Sequence, residues 1–155
     1  MDGVDWARNP GTTYVADAME PTVQRSFPRS AAYLPEIFDF MDGFFARAGI
    51  GEEHRLPMHF AVEELYTNLV KYNRGGKRDI LIDLRRESGR LVVSLTDFDV
   101  ERFDIRAVPD VNVDLALKDR KPGGLGIHLL KRMVDDVGYE YVDGRSTTTF
   151  VKTLE

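Results

Sequence analysis

The stretch from Ile80 to Asp97 narrows the possible folds more than any other part of the chain. Ile80, Ile82 and Leu84 alternate with Leu81, Asp83 and Arg85, and after Glu87-Ser88-Gly89-Arg90 the alternation resumes through Leu91, Val93 and Leu95. Period-two alternation around a short polar turn is the pattern of a hairpin with one apolar face. An isolated hairpin is marginal in water, so that face needs a cover. The cover lies upstream, where apolar residues recur at helical spacing. Tyr33, Ile37, Phe40, Phe44 and Ala48 mark one helix, with Pro35 near its first turn and Gly49 and Gly51 at its end. Met58, Val62, Leu65 and Leu69 mark a second, running from about Glu53 to Asn73 and stopped by Gly75-Gly76.

The remaining segments complete a two-layer pattern. Val23, Arg25 and Phe27 place a short strand over Thr22–Phe27 that Pro28 ends. Ile127, Leu130, Val134 and Val137 predict a third helix over Gly126–Val137. Tyr139–Val142 and Ser146–Leu154 read as strands joined at Asp143-Gly144, a strong hairpin signal. Residues 98–123 form a polar connection, with one short helical piece expected around Val113–Leu117; loops of that length are usually functional or disordered. Residues 1–20 lack a period and read as a flexible arm in which Trp6 and Tyr14 could dock. The order β-α-α-β-β-loop-α-β-β predicts one domain over 21–155: an α/β two-layer sandwich (α+β), its sheet mixed but mostly antiparallel, with helices on one face.

Composition removes several functions. The chain has 155 residues, a net charge of -5 and no cysteine. Disulfides, thiolate metal sites and cysteine nucleophiles are excluded, and the acidic balance argues against nucleic acid as the main partner. The acidic N-terminus does not resemble a signal peptide, and no apolar run approaches the ~20 residues that cross a bilayer. A soluble, cytoplasmic protein is expected. Asp97, Asp99 and Glu101 could open a calcium loop, but that motif needs Gly where Arg102 stands and an acid where Val108 stands. His54, His59 and His128 lack ligand spacing, which makes His59 and His128 packed or surface residues.

Three elements carry chemistry. Glu64, Asn68 and Lys71 fall at i, i+4 and i+7, so they project from one side of the second helix. Such a face is ordinarily just solvated; the sharper reading is a carboxylate and an amide oxygen aimed into a cleft, suited to a general base beside Mg²⁺. Lys121-Pro122-Gly123-Gly124-Leu125-Gly126 runs straight into the third helix, where backbone N–H groups and the helix dipole favour phosphate. Alone, these glycines are equally a flexible loop. Asp97, at a strand exit, is placed to present a carboxylate into a cleft.

In this order and spacing the elements resemble the ATP-binding domain of histidine kinases, DNA gyrase and related ATPases. The similarity is greatest to the stand-alone bacterial anti-sigma-factor serine kinases of RsbW type, and it covers residues 22–155. The residues that carry it are Glu64-Leu65-Tyr66-Thr67-Asn68-Leu69-Val70-Lys71, then Asp97-Phe98-Asp99 with Phe103-Asp104, then Gly123-Gly124-Leu125-Gly126-Ile127-His128-Leu129-Leu130, and finally Asp143-Gly144-Arg145 through Thr149 to Lys152. The resemblance implies the histidine-kinase-like ATPase fold, with ATP and Mg²⁺ as cofactors. It implies that Asn68 holds Mg²⁺, Glu64 is the general base, Asp97 reads the adenine amine, and Gly124 and Gly126 meet the phosphates. Residues 105–123 would be a lid. Thr149 would contribute to the adenine side, preferred over Thr148 because a strand turns only one of the two to the pocket. The implied activity is phosphorylation of a serine or threonine on an anti-sigma-factor antagonist, alternating with sequestration of a sigma factor.

One residue departs from the family pattern. Asp99 stands where the family has Gly, and it adds a side chain and a negative charge near the expected nucleotide. Lining the pocket, it would weaken ATP; pointing away, its effect would be negligible. The competing expectation is therefore a non-catalytic, protein-binding switch with weak or no nucleotide binding. The reading as half of a histidine kinase is set aside, since no dimerisation helices or phosphoacceptor segment are found. Phe38, Phe44 and Phe45 exceed what one helix face needs, so a homodimer or partner-docking face is a further expectation.

Overall fold

A computed structural model describes residues 13–14, 21–73, 75–109 and 124–154. Among these, β1 (Thr13–Tyr14), β2 (Thr22–Phe27), β3 (Ile80–Glu87), β4 (Arg90–Asp97), β5 (Asp136–Val142) and β6 (Arg145–Thr153) form one sheet in the order β1-β2-β3-β4-β6-β5. Every strand pair is antiparallel. Three α-helices accompany it: α1 (Leu34–Ala48), α2 (Arg55–Tyr72) and α3 (Gly124–Met133). α1 packs on β3, α2 on β4 and α3 on α2. The expected two-layer α+β sandwich is thus observed.

The alternation in Ile80–Asp97 does the work assigned to it. Ile80, Ile82, Leu84, Leu91, Val93 and Leu95 are all fully buried, as are Met58, Val62 and Leu65 of the α2 stripe. Removing such apolar area from water at roughly 25 cal/mol per Å² is the main force joining the layers. The other sheet face carries cross-strand polar pairs: Gln24 to Asp83 at 2.9 Å, Ser94 to Thr149 at 2.7 Å and Thr96 to Thr147 at 3.0 Å. Both hairpin turns carry two successive positive φ angles, Ser88 (53°) with Gly89 (73°) and Asp143 (51°) with Gly144 (80°). That is the backbone of a type I′ turn, which matches the strand twist.

Several boundaries differ from the sequence expectation. α3 begins at Gly124 and stops at Met133, and Val137 belongs to β5, paired with Phe150. Val137 fits either period, and only its sheet partner decides. The end of α2 agrees with the expectation: the helix runs to Tyr72 and Asn73 caps it, its N–H bonded to Leu69 O at 3.0 Å, two residues before Gly75-Gly76. A single 3-10 turn, Glu52–His54, precedes α2. Within the arm, Thr13–Tyr14 pairs with β2; the rest of residues 1–20, and Val113–Leu117, lie outside the described residues. Phe44 and Phe45 are both buried in the core of the single chain. Phe38 stacks on His59 with ring centroids 4.5 Å apart, and His59 Nε2 meets Asp42 Oδ1 at 2.7 Å. One amphipathic helix presents two adjacent aromatics inward because the core reaches around it.

Candidate functional site

The polar side of α2 meets the first turn of α3. Asn68 is buried, and its Nδ2 donates to Glu64 O at 2.6 Å, which fixes the side chain against its own helix. Its Oδ1 is buried without a hydrogen-bond partner. A buried acceptor left unpaired is costly unless something else satisfies it. Glu64, one turn earlier, is half-buried; burial, reinforced by the neighbouring Glu63 charge, raises its carboxyl above the usual range. Gly126 is the reason Glu64 fits. A Cβ built on Gly126 would lie 1.8 Å from Glu64 Oε2, so any side chain there would displace the carboxyl.

Gly124, Leu125 and Gly126 form the first turn of α3, whose opening N–H groups have no intrahelical acceptor. Ile127 is buried and anchors that turn in the core. Gly123, with Lys121 and Pro122, lies outside the described residues. Lys71 sits at the exposed end of α2, with Nζ 5.3 Å from the Tyr72 ring centroid. An orphaned amide oxygen, a carboxyl one turn away and a glycine-lined helix start suit a cation with phosphates: oxygen ligands for Mg²⁺, backbone donors for anionic oxygens. Among the described residues, no group of three or more His, Asp or Glu is placed to hold a metal by itself.

Asp97 closes β4 and is fully buried. Sequence reasoning gave it a free carboxylate; the structure gives it four donors. Arg29 reaches it with both terminal nitrogens, Nη1 to Oδ1 and Nη2 to Oδ2, the latter at 3.1 Å. Asn73 Nδ2 donates to Oδ2 at 2.9 Å, and the Phe98 N–H to Oδ1 at 3.1 Å. Arg29 also donates to Leu69 O at 3.1 Å, Asn73 O at 3.0 Å and Arg78 O at 3.4 Å. Neither Arg29 nor Asn73 was singled out from the sequence.

Asp99 has φ 57°, the left-handed region that glycine enters freely and that Asp tolerates better than most side chains. The backbone shape expected of Gly is kept. Its carboxylate is 70% exposed and lies 3.6 Å from Arg78 Nη1, so it turns to solvent and a cation. Arg78 in turn covers the Phe98 ring at 4.3 Å.

The preference for Thr149 is corrected by register. Thr149 opposes Ser94 and bonds it on the helix-free face, whereas Thr148 opposes Leu95, is buried, and shares the helix-side face with Asp97 and Ser146. An offset of one residue moves a strand side chain to the other face. Phe103 is half-buried beside Tyr72, with centroids 5.8 Å apart, and its N–H donates to Tyr139 Oη at 3.0 Å. Asp104 accepts from the Arg106 N–H at 2.9 Å and binds its guanidinium, which holds the Asp104 carboxyl below its usual range. Phe103-Asp104 therefore anchors the loop that follows β4.

The family described as Histidine kinase-like ATPase domain matches residues 27–152. The chain is 32% identical over 113 residues to the Serine-protein kinase RsbW of Listeria monocytogenes, covering 68% of this chain and 71% of that protein. The Listeria innocua protein of the same name is 31% identical over the same span. Among solved structures, the RsbU and RsbW domains of a Mycobacterium tuberculosis protein superpose with TM-score 0.60 at 14% identity, over 86% of this chain but only 32% of that longer one. The SiaB–SiaC complex from Pseudomonas aeruginosa gives TM-score 0.55 at 17% identity, over 83% of this chain and 88% of the other. At these identities the structures speak for the fold alone.

Proposed function

Because this chain belongs to the histidine kinase-like ATPase family, we propose that it is an ATP-dependent protein serine/threonine kinase that also acts as an anti-sigma factor in the cytoplasm. The observation that carries the reading is the buried, unpartnered Asn68 Oδ1 beside the Glu64 carboxyl and the glycine-lined start of α3. The names of the Listeria relatives support the kinase activity. In this reading the substrate is a hydroxyl of an anti-sigma-factor antagonist, and the alternative partner is a sigma factor kept from polymerase.

Asn68 Oδ1 would hold Mg²⁺, and the ion would supply neutralisation of the negative charge on the transferring group. The N–H groups of Gly124, Leu125 and Gly126 bind the phosphate oxygens. Glu64 accepts the proton of the attacking hydroxyl. Its raised affinity for protons makes it a stronger base than an exposed glutamate, provided it is ionised. Thr148, rather than Thr149, contributes on the base side with Asp97. Most of the rate then comes from positioning and electrostatics.

A second reading, a protein-binding switch with weak or no nucleotide binding, draws on one observation: the Asp97 acceptors are already occupied. Calorimetric titration with Mg·ATP separates the two. Binding in the wild type, kept in Glu64→Gln while phosphate transfer from labelled ATP to the antagonist is lost, is the expected result. No binding at about millimolar ATP would remove the kinase reading.

A further inference from the structure

A carboxylate offers two lone pairs on each oxygen, and all four positions of Asp97 are taken. Oδ1 accepts from Arg29 and from the Phe98 N–H, and Oδ2 accepts from Arg29 at 3.1 Å and Asn73 at 2.9 Å. An amino group on a nucleotide base cannot join this set; it has to replace a member. The four donors are not equally replaceable. The Phe98 N–H is backbone. Arg29 is charged, held by three further carbonyls, and its departure would strand a buried carboxylate. Asn73 is neutral, gives Asp97 one hydrogen bond, and can turn away about its own side-chain torsions. It also lines a cavity of about 330 Å³ between Gly75-Gly76 and Asp99–Glu101, so there is room for the turned-out side chain or for part of a ligand. Its donor is an –NH2 on a planar carbon, the same group that an aminopurine carries.

We propose that the Asn73 carboxamide holds the place on Asp97 Oδ2 that the amino group of a base takes, so that Asn73 sets affinity and selectivity for amino-bearing nucleotides. The inference rests on the nucleotide reading of the site given above. The base engages only those molecules in which Asn73 has turned out, and the apparent affinity is reduced by that fraction. Arg29 stays in place throughout and keeps Asp97 ionised and oriented.

The test compares dissociation constants of Mg·ATP, Mg·inosine triphosphate (a 6-oxo base without the amino group) and Mg·tripolyphosphate for the wild type, Asn73→Ala and Asn73→Ser, with thermal unfolding as the check on folding. Asn73→Ala is expected to tighten ATP by about tenfold, the scale of one hydrogen bond to a charged acceptor. Inosine triphosphate and tripolyphosphate should be unchanged. In ¹⁵N-labelled wild type, the Asn73 side-chain amide resonances should move on adding ATP and stay put on adding tripolyphosphate; this second measurement decides if the variants do not fold. A folded variant with unchanged or weaker ATP affinity, or an Asn73 amide unmoved at saturating ATP, overturns the proposal and leaves the nucleotide reading standing. If neither ATP nor tripolyphosphate binds the wild type or Asn73→Ala, the nucleotide reading fails and takes this proposal with it.

Discussion

Asp99 shows how one side chain can keep a backbone and change its charge. At φ 57° it holds the conformation that a glycine would supply, and its carboxylate faces Arg78 and solvent. A like charge that is exposed and paired interacts with a phosphate through a high effective dielectric, worth about 0.5 kcal/mol at 7 Å. Asp99→Gly is therefore expected to tighten Mg·ATP by about threefold or less; a hundredfold gain in calorimetry would mean that the side chain enters the pocket. Glu64 makes a prediction in pH. Its folded carboxyl titrates above the usual range, so base catalysis is present above that raised value and lost as pH falls through it. The acid limb of the kcat/KM profile should lie above the ordinary glutamate value and disappear in Glu64→Gln. The neutral form is also the one that the fold prefers, so Glu64→Gln should be at least as stable as wild type at pH 7, measured by thermal unfolding. Asn68 and Asp97 were legible because polar residues at fixed spacing on a helix, or at a strand exit, leave a local pattern. Arg29 was not, since it meets Asp97 from 68 positions away, and nothing next to Pro28 announces that meeting.

At the scale of elements, the strands were read more sharply than the helix ends. β2 matches its expected span, and β3 and β4 follow the alternation that set the fold. Helix ends depend on caps and on neighbours: Val137 joins a strand through Phe150, whereas α2 closes at Asn73 as its sequence indicates. The choice between Thr148 and Thr149 failed for a similar reason, because the face of β6 is set by its pairing with β4 and not by its own sequence of four polar residues. The first turn of α3 is defined by what Gly126 lacks. Gly126→Ala would improve helix propensity by about 1 kcal/mol yet force the Glu64 carboxyl out of place. We expect near-normal unfolding and a phosphate-transfer rate reduced roughly a hundredfold, as a misplacement of about 1 Å can do. Full activity in a folded Gly126→Ala protein would show that the observed Glu64 position is not the reactive one.

Across the whole molecule, Arg29 joins parts that the sheet and the helix layer alone would leave loosely connected. One guanidinium, two residues beyond the end of β2, links the carbonyl end of α2, the segment before β3 and the exit of β4. It is 11% exposed, and its partner Asp97 is fully buried. Removing one member of such a pair leaves a buried charge without compensation, at a cost of about 3–5 kcal/mol, whereas replacing both by apolar groups is often neutral. Arg29→Met should therefore lower the denaturant midpoint strongly with little change in m-value, and Arg29→Met combined with Asp97→Leu should recover most of the loss. The same pair of variants separates architecture from recognition. The double variant, folded but without a carboxylate, should not distinguish ATP from inosine triphosphate, because in the proposed reading Asp97 and not the surrounding fold supplies the acceptor for the amino group. A double variant as unstable as Arg29→Met alone would mean that the clamp stabilises through its carbonyl contacts, with the buried charge contributing little.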